Sequence, residues 1–334
     1  MLHLKDDIDA DGPEERLDDS PHSIAHLLRL LGSGPAARIL IMLARRPLRT
    51  MQLTERMQGI SSRSVYRCIA KLEACGLVER HEHTGVPSTV LLTLSDPAGR
   101  QLHRLLTKLE GDSQADSLNE PPIGTMWEML SVVGDLWEAE VIEDLTQGPR
   151  PLTELGELPH RLTYHQVRRR VRLLTEGGLL TTEAFSGNGR RVDFTPHGRR
   201  SLKTIAAVAR WGDRYGQLSA DGGFQTHEMA TLLRAIFPLA CLPGHAGKRI
   251  DISVAGPKGY AGLRAAETFQ VAVDSDGSIR VTGREESAAG SSAATINTWL
   301  GTLLDNNRGR IRVRGNHALV DDCLTQLHSQ LWMQ

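Results

Sequence analysis

Apolar residues recur along this chain at two spacings, and the spacings alternate in a fixed order. Over residues 23–31, Ile24, Leu27, Leu28 and Leu31 fall on one side of a helix. Gly32-Ser33-Gly34-Pro35 interrupts that pattern, and Ile39, Leu40 and Leu43 resume it over 36–45. Pro47 ends the second segment, because proline lacks an amide hydrogen and crowds the preceding turn. Thr50 is placed to cap a third helix carrying Leu53 and Met57, with Gly59 as the turn. Ser61 or Ser62 caps a fourth, in which Val65, Ile69 and Leu72 point inward and Gly76 closes the helix. Ser62, Arg63, Tyr66, Arg67 and Lys71 point outward from it. Residues 77–83 and 88–94 then read as two strands around Thr84-Gly85-Val86-Pro87, a hairpin. Asp96-Pro97 opens a last helix with Leu102, Leu105, Leu106 and Leu109.

Helix, helix, helix-turn-helix, hairpin, helix is the winged helix-turn-helix plan. The plan then repeats. Pro47 answers Pro149, Leu53 answers Leu155, Val65 answers Val167, Ile69 answers Val171, Leu72 answers Leu174 and Gly76 answers Gly178, each pair 102 residues apart. Beyond the hairpin Gly99 answers Gly198, 99 residues away, so the second hairpin or its flanks must be about three residues shorter. A constant offset through a whole motif is the signature of internal duplication. The chain's most informative stretch is the second copy of the fourth helix, from Thr163 to Gly178. Thr163 is its N-cap, Val167, Val171 and Leu174 form one buried stripe, and Gly177-Gly178 stop it. Tyr164, His165, Arg168, Arg169 and Arg172 stay in water. Such a cationic, hydrogen-bonding face suits a DNA major groove, where arginine forks onto guanine and other basic groups meet phosphate. The second hairpin adds Arg190 and Arg191 beside Gly187-Asn188-Gly189, a flexible tip within reach of phosphate or minor groove. The competing reading of either helix is an ordinary solvated amphipathic face. The two outward faces differ, which predicts an asymmetric DNA site rather than a palindrome, and if one copy has lost its reading role the weaker basic face assigns that loss to the first.

From Phe224 onward the pattern changes. A helix over 228–237 precedes short strand-like runs at 249–254, 268–274 and 278–282, with Asp276-Gly277 as a hairpin turn. Residues 285–294, small and polar, read as a mobile loop. Ile296, Trp299, Leu300 and Leu303 define a helix over 295–304, Arg310 to Arg314 a strand, and 319–331 a closing helix. Arg310, Arg312 and Arg314 share one strand face opposite Ile311 and Val313: a solvated sheet surface, or else a phosphate or anionic-ligand patch. Phe237, Phe269, Trp299, Leu303 and Trp332 are candidates both for core and for the lining of an apolar ligand cavity.

Charge refines this picture. The chain of 334 residues carries 39 Lys plus Arg against 40 Asp plus Glu, so any nucleic-acid face must concentrate its cations locally. Asp6, Asp7, Asp9, Asp11, Glu14, Glu15, Asp18 and Asp19 make the first twenty residues an acidic arm, read as disordered, or alternatively as folding back over a basic groove. Cys68, Cys75, Cys241 and Cys323 are scattered without metal-ligand spacing, which fits a reducing cytoplasm. His81 and His83 alternate on the first hairpin but lack a third ligand, so solvated histidines are expected and no metal or other cofactor. No apolar run approaches the ~18–20 residues that span a bilayer, and no signal-peptide core opens the chain.

In the second copy, Gly134-Asp135-Leu136-Trp137, Glu143-Asp144-Leu145-Thr146-Gln147-Gly148-Pro149-Arg150-Pro151-Leu152-Thr153-Glu154-Leu155, the junction Phe194-Thr195-Pro196-His197-Gly198 and Trp211-Gly212 resemble the HxlR-type branch of bacterial winged-helix regulators. The resemblance spans roughly 90 residues there and, more faintly, the first copy. It implies dimerisation through the first and last helices, with two recognition helices reading neighbouring half-sites. Family members are usually single-domain homodimers; two fused copies imply an intramolecular pseudo-dimer, alone or paired further as a homodimer. Many members carry an oxidant-sensing cysteine near the N-terminus, and none stands before Cys68 here. The C-terminal stretch resembles the sterol-carrier fold, which implies an apolar cavity between sheet and helices. The expected fold class is therefore α+β: an acidic arm (1–20), a winged helix-turn-helix domain (21–110), a linker (111–122), a second, HxlR-like one (123–216), a linker (217–224) and a sterol-carrier-like α+β ligand-binding domain (225–334). The expected function is a cytoplasmic bacterial transcription regulator, not an enzyme. It would bind double-stranded promoter or operator DNA and respond to a small apolar ligand. The alternatives are a small-molecule-sequestering protein that has lost DNA binding and, further off, a tandem winged-helix DNA glycosylase. That last family's paired-glutamine signature is missing here, as are G-x-S-x-G, Walker and H-E-x-x-H motifs.

Overall fold

The computed structural model describes residues 24–83, 89–115, 126–138, 141–157, 163–185, 189–215, 224–255, 267–283 and 287–332. The acidic arm, both hairpin tips and most of both expected linkers lie outside these residues. The first unit runs α1 (Ile24–Gly32), α2 (Gly34–Arg45), β1 (Leu48–Arg49), α3 (Thr50–Arg56), α4 (Ser62–Ala74), β2 (Val78–His83), β3 (Thr89–Leu94) and α5 (Ala98–Ala115). The second runs α6 (Met126–Glu138), α7 (Val141–Thr146), β4 (Arg150–Pro151), α8 (Leu152–Glu157), α9 (Tyr164–Glu176), β5 (Leu180–Phe185), β6 (Gly189–Phe194), α10 (Pro196–Ser201) and α11 (Lys203–Arg214). Each unit holds a three-stranded sheet, ordered β1-β3-β2 and β4-β6-β5. The two-residue strands β1 and β4 were not expected; each fastens the chain before the helix-turn-helix to the hairpin, Leu48 opposite Leu92 and Arg150 opposite Val192.

Some expected boundaries move. Thr50 lies inside α3; Arg49 is the cap residue, its amide donating to Gln52 Oε1 at 2.9 Å. Helix α5 continues to Ala115, beyond the expected start of the linker, and the last helix of the second unit breaks at Leu202 into α10 and α11. The three-residue shortening divides in two. Between Leu77 and Leu179 the offset is still 102, but Ser95 and Thr195 are 100 apart, so two residues are lost in the hairpin and one in the junction that follows.

That junction explains the paired glycines. Ser95 Oγ donates to Gly76 O at 2.6 Å and accepts from Gly99 N at 2.9 Å. Thr195 Oγ1 does the same with Gly178 O at 2.6 Å and Gly198 N at 2.9 Å. One hydroxyl thus joins the C-terminal turn of α4, or of α9, to the helix after the hairpin. The approach is so close that a Cβ on Gly99 would sit 2.3 Å from Leu77 O, and one on Gly198 1.9 Å from Leu179 O.

The units pack through their first helices. Ala25 and Arg29 of α1 meet Gly134 of α6, where a Cβ would come within 3.1 Å of the backbone of both residues. Helix α11 touches α1 and α5, and Trp211 Nε1 donates to Ala98 O at 3.0 Å. Leu27, Leu28, Leu31, Leu130 and Leu136 are buried in one continuous core.

The C-terminal unit comprises α12 (Thr226–Ile236), two short 3-10 turns, β7 (Arg249–Ala255), β8 (Glu267–Val273), β9 (Ile279–Thr282), β10 (Gly290–Thr295), α13 (Ile296–Asp305), β11 (Arg312–Gly315) and α14 (His317–Trp332). Its sheet is ordered β11-β10-β7-β8-β9, parallel only between β10 and β7. The expected loop over 285–294 is corrected here: from Gly290 it is an inner strand. Gly-Ser-Ser-Ala-Ala-Thr carries too little hydrophobicity to read as one, yet its small side chains let α14 close in, Val320 Cγ2 lying 3.2 Å from a Cβ on Gly290. The arginine strand begins at Arg312 rather than Arg310.

This unit is fastened to the second winged helix. Trp137 Nε1 donates to Glu228 Oε1 at 3.0 Å, and Arg234 lies 3.7 Å from Glu143 and 3.9 Å from Glu267. Arg199 Nη1 donates to Ala235 O at 2.8 Å, and Arg210 pairs with Asp305. Lys203 Nζ donates to Leu331 O at 3.2 Å and sits 4.8 Å above the Trp332 ring.

Candidate nucleic-acid interface

Helix α4 is started by Ser61, whose hydroxyl accepts from Ser64 N at 3.2 Å, and stopped beside Gly76, which adopts a φ of 61°. Val65, Ile69 and Leu72 are buried, while Ser62, Arg63, Tyr66, Arg67 and Lys71 are all exposed, Tyr66 at 53%. Helix α9 is built the same way, with a reciprocal cap. Thr163 Oγ1 accepts from Gln166 N at 3.4 Å, and Thr163 N donates to Gln166 Oε1 at 2.8 Å. Gly178 ends it with a φ of 72°. His165, Arg168, Arg169 and Arg172 are exposed and Tyr164 is half-buried, its ring edge-on to His165 at 5.8 Å. Arg172 leans toward Glu176, 3.5 Å away, so its cation is partly offset. On the second hairpin Arg190 and Arg191 are exposed. Each helix therefore gathers its expected residues on one open face, with the second wing's two arginines in the same unit.

Two positioning residues escaped the sequence reading. Arg170, on the inward shoulder of α9, donates from Nε to Asp135 Oδ2 at 2.8 Å, with Nη2 2.7 Å from the same oxygen. The pair ties α9 to α6, the helix that packs on α1. In the first unit the equivalent positions are Ser33 and Cys68, so this ion pair has no counterpart there.

Other candidates find quieter places. His81 Nε2 lies 2.9 Å from Thr93 Oγ1 and 3.6 Å from Glu79, and among the described residues no group of three metal-ligating side chains converges. His83's side chain lies outside the described residues. Burial pushes the Cys68 thiol up to about 11 and that of Cys323 to about 12, and raises Cys75 as well, so all three stay protonated at neutral pH; Cys241 is exposed. Phe237, Phe269, Trp299 and Leu303 are core residues, and Trp332 lies at the core's edge. Phe237 meets Phe269 edge-on at 6.0 Å, and Trp299 Nε1 donates to Ser253 O at 3.1 Å. An apolar cavity of about 20 Å³ lies inside the second winged helix, lined by Leu130, Val133, Leu174, Phe194 and Leu202 among others. Among the described residues no single helix is long and apolar enough to cross a membrane.

An uncharacterized HTH-type transcriptional regulator of Methanothermobacter thermautotrophicus is 24% identical over 96 residues, covering 28% of this chain and 73% of its own. The reduced form of the transcriptional regulator YodB from B. subtilis is 28% identical, covering 28% of this chain and 88% of its own, with a TM-score of 0.25. The regulator ytfH from Salmonella typhimurium is 26% identical, covering 28% and 80%, with a TM-score of 0.24. The family model for the HxlR-like helix-turn-helix matches twice, over residues 30–116 and 132–220, together more than half the chain. By these two matches the chain belongs to the HxlR-like helix-turn-helix family.

Proposed function

We propose that this winged-helix transcription regulator binds double-stranded DNA as an intramolecular pseudo-dimer, each of its two units presenting one recognition helix. The observation that carries the reading is the pair of exposed cationic faces on α4 and α9, set on units whose first helices pack together. At equivalent positions those faces carry Ser62 and Tyr164, Arg63 and His165, Tyr66 and Arg168, Lys71 and Leu173; only Arg67 and Arg169 agree. Base-edge donors and acceptors would differ at nearly every position, so the proposed site is asymmetric.

The proposed effector is a small apolar molecule taken up by the C-terminal unit, whose sterol-carrier-like character is part of the same proposal. What supports it is the apolar core of this unit, in which Phe237, Phe269, Trp299 and Leu303 are all buried and Phe237 meets Phe269 edge-on. Because Trp299 and Phe237 are fully buried, entry would require α13 or α14 to part from the sheet, with half-buried Trp332 at the rim. Such a ligand would act on DNA binding only through a difference in affinity between two arrangements of the reading heads.

The test is fluorescence anisotropy against the gene's own upstream DNA and a scrambled duplex across a salt series. Sequence-specific binding that weakens steeply with salt, and is lost in an Arg168→Ala, Arg169→Ala variant, is expected. Equal, weak binding to both duplexes, unchanged by the variant, would refute it and turn the search toward ligand sequestration.

A further inference from the structure

The edge strand β11 is paired on one side only. It joins β10 antiparallel, Arg312 opposite Ala293 and Arg314 opposite Ser291, and among the described residues nothing pairs with its other edge. The far end of the sheet is treated differently: beside β9, Ser278 bridges to Cys241 and Leu242 N donates to Gly277 O at 2.6 Å. Open edges invite another strand, because their amides and carbonyls remain unsatisfied by protein. Arg312 and Arg314 lie within β11, and Arg310 lies in the turn just before it, where Ile311 N donates to Arg308 O at 3.0 Å. Arg310, Arg312 and Arg314 are exposed and Ile311 and Val313 are half-buried. Among the described residues none of the three arginines has an ion pair, whereas the neighbouring Arg308 is held by Asp321, Thr325 and Asn306. The adjacent inner strand offers no carboxylate at the facing positions.

One stretch of the chain carries the complementary pattern. Asp7-Ile8-Asp9-Ala10-Asp11 has a carboxylate wherever Arg310-Ile311-Arg312-Val313-Arg314 has a guanidinium, and an apolar residue wherever that strand has one. We propose that residues 7–11 add to the free edge of β11 of the same chain as a sixth strand. The two-residue period of a strand would then set two of Asp7, Asp9 and Asp11 beside Arg312 and Arg314 on one face, with the third toward Arg310 where the strand begins, and an apolar residue of the arm beside Val313 on the other. Reach permits it. Twelve residues separate Asp11 from the start of α1 at Ile24, and the thirteen steps between them can extend about 43–47 Å. Helix α1 rests on α11, α11 on α13, and α13 on β10, the neighbour of β11; at about 10 Å per packed layer the path is on the order of 35 Å. The arm would cover the edge, neutralise its cations and tie the first winged helix to the C-terminal unit. This inference is independent of the DNA-binding proposal.

Hydrogen exchange on the full-length chain tests it. Amides of 7–11 should exchange roughly tenfold or more slowly than in the free peptide of residues 1–20, as should those of 311–314 relative to a chain lacking that arm. Protection of both should vanish in Arg310→Glu, Arg312→Glu, Arg314→Glu and in Asp7→Lys, Asp9→Lys, Asp11→Lys, with β7 and β8 unchanged as a folding control. It should return when both triple changes are combined, since the swap restores opposite charges. Free-peptide exchange at 7–11 in the wild type would overturn the proposal. So would protection that appears only as concentration rises, which would assign the edge to a second copy, or protection of 311–314 that requires added DNA.

Discussion

Gly198→Ala sets the local geometry against a measurable cost. The new methyl carbon would lie 1.9 Å from Leu179 O, 2.8 Å from Leu179 C and 3.0 Å from Leu179 Cα. These atoms are backbone and cannot swing away as a flexible side chain would. Leu179 O is also engaged, accepting from Thr195 N at 3.0 Å and from Thr195 Oγ1 at 3.2 Å. Relief requires α10 to slide from β5 by about 1 Å or more, which opens this junction. Overpacking costs about 1–3 kcal/mol, and one weakened buried hydrogen bond adds about 1 kcal/mol, so the expected loss is roughly 2–4 kcal/mol. At about 4–8 °C per kcal/mol for a domain of 60–100 residues, the second winged helix should melt roughly 8–32 °C earlier. Gly99→Ala, 2.3 Å from Leu77 O, should act in the same direction on the first unit. Gly178→Ala is the control: no atom lies within 4 Å, and only the φ of 72° is strained, at about 1–2 kcal/mol. Thermal melts of the three variants by circular dichroism decide the matter. A Gly198→Ala protein melting within 1–2 °C of wild type (a shift of under about 1 kcal/mol) would refute the steric argument, as would a greater loss from Gly178→Ala.

Further consequences follow from other contacts. A double-mutant cycle between Asp135→Ala and Arg170→Ala should give a coupling of about 1 kcal/mol, since both side chains are only about a fifth exposed; additive losses in denaturant melts would remove the proposed lock on α9. Removing Arg168 and Arg169 together should lower the slope of log affinity against log salt by about 1–2 if both meet phosphate, and leave it unchanged if neither touches DNA. Burial pushes the Glu228 carboxyl above its ordinary range, so its charged form is disfavoured in the docked state. Docking should therefore be strongest below the unfolded carboxylate range of about 4.3 and weaken as pH rises toward the raised folded value. Glu228→Gln should flatten that part of the profile in Trp137-sensitive fluorescence, and a variant with wild-type slope would show that other groups set it. Cys241 should be alkylated by iodoacetamide well before Cys68, Cys75 and Cys323, whose thiols are buried and protonated; equal labelling in the native protein would contradict that burial.

Helices were legible in this sequence wherever one face is apolar and the ends carry caps. Thr163, Gly76 and Gly178 were readable because each acts within a single turn. The duplication was readable because packing holds Leu53, Val65, Ile69 and their partners at the same places in both units. What stayed hidden depends on long-range neighbours. Strands β1 and β4 are too short to have a period. Strand β10 is an inner strand of glycine, serine, alanine and threonine, whose burial (Ser292 is fully buried) comes from α14 pressing on it rather than from its own hydrophobicity. Arg170 looked like one more cation on a basic helix; its turn toward Asp135, 35 residues away, is a tertiary fact.

The two units diverge where the C-terminal unit docks, and the divergence is chemical. The second unit offers Trp137 to Glu228 and Glu143 to Arg234. At the same repeat positions the first unit has Pro35 and Ile41, which can neither donate to a carboxylate nor pair with a guanidinium. Helix α6 also runs to Glu138, whereas its counterpart α1 stops at Gly32, so the second pairing helix extends past the end of its equivalent and carries Trp137 to the contact. A homodimer of identical chains could not confine such docking to one half, because each change would appear in both. Fusion removes that constraint. In the proposed regulator, a change in the C-terminal unit would reach α9 directly, through Trp137 on the same helix as Asp135, and would reach α4 only through the packing of α1 on α6. An effector would then alter affinity mainly through the half-site read by α9. Swapping that half-site should change the effector's influence more than swapping the other, and an equal influence at both would place the coupling in the helix pair instead.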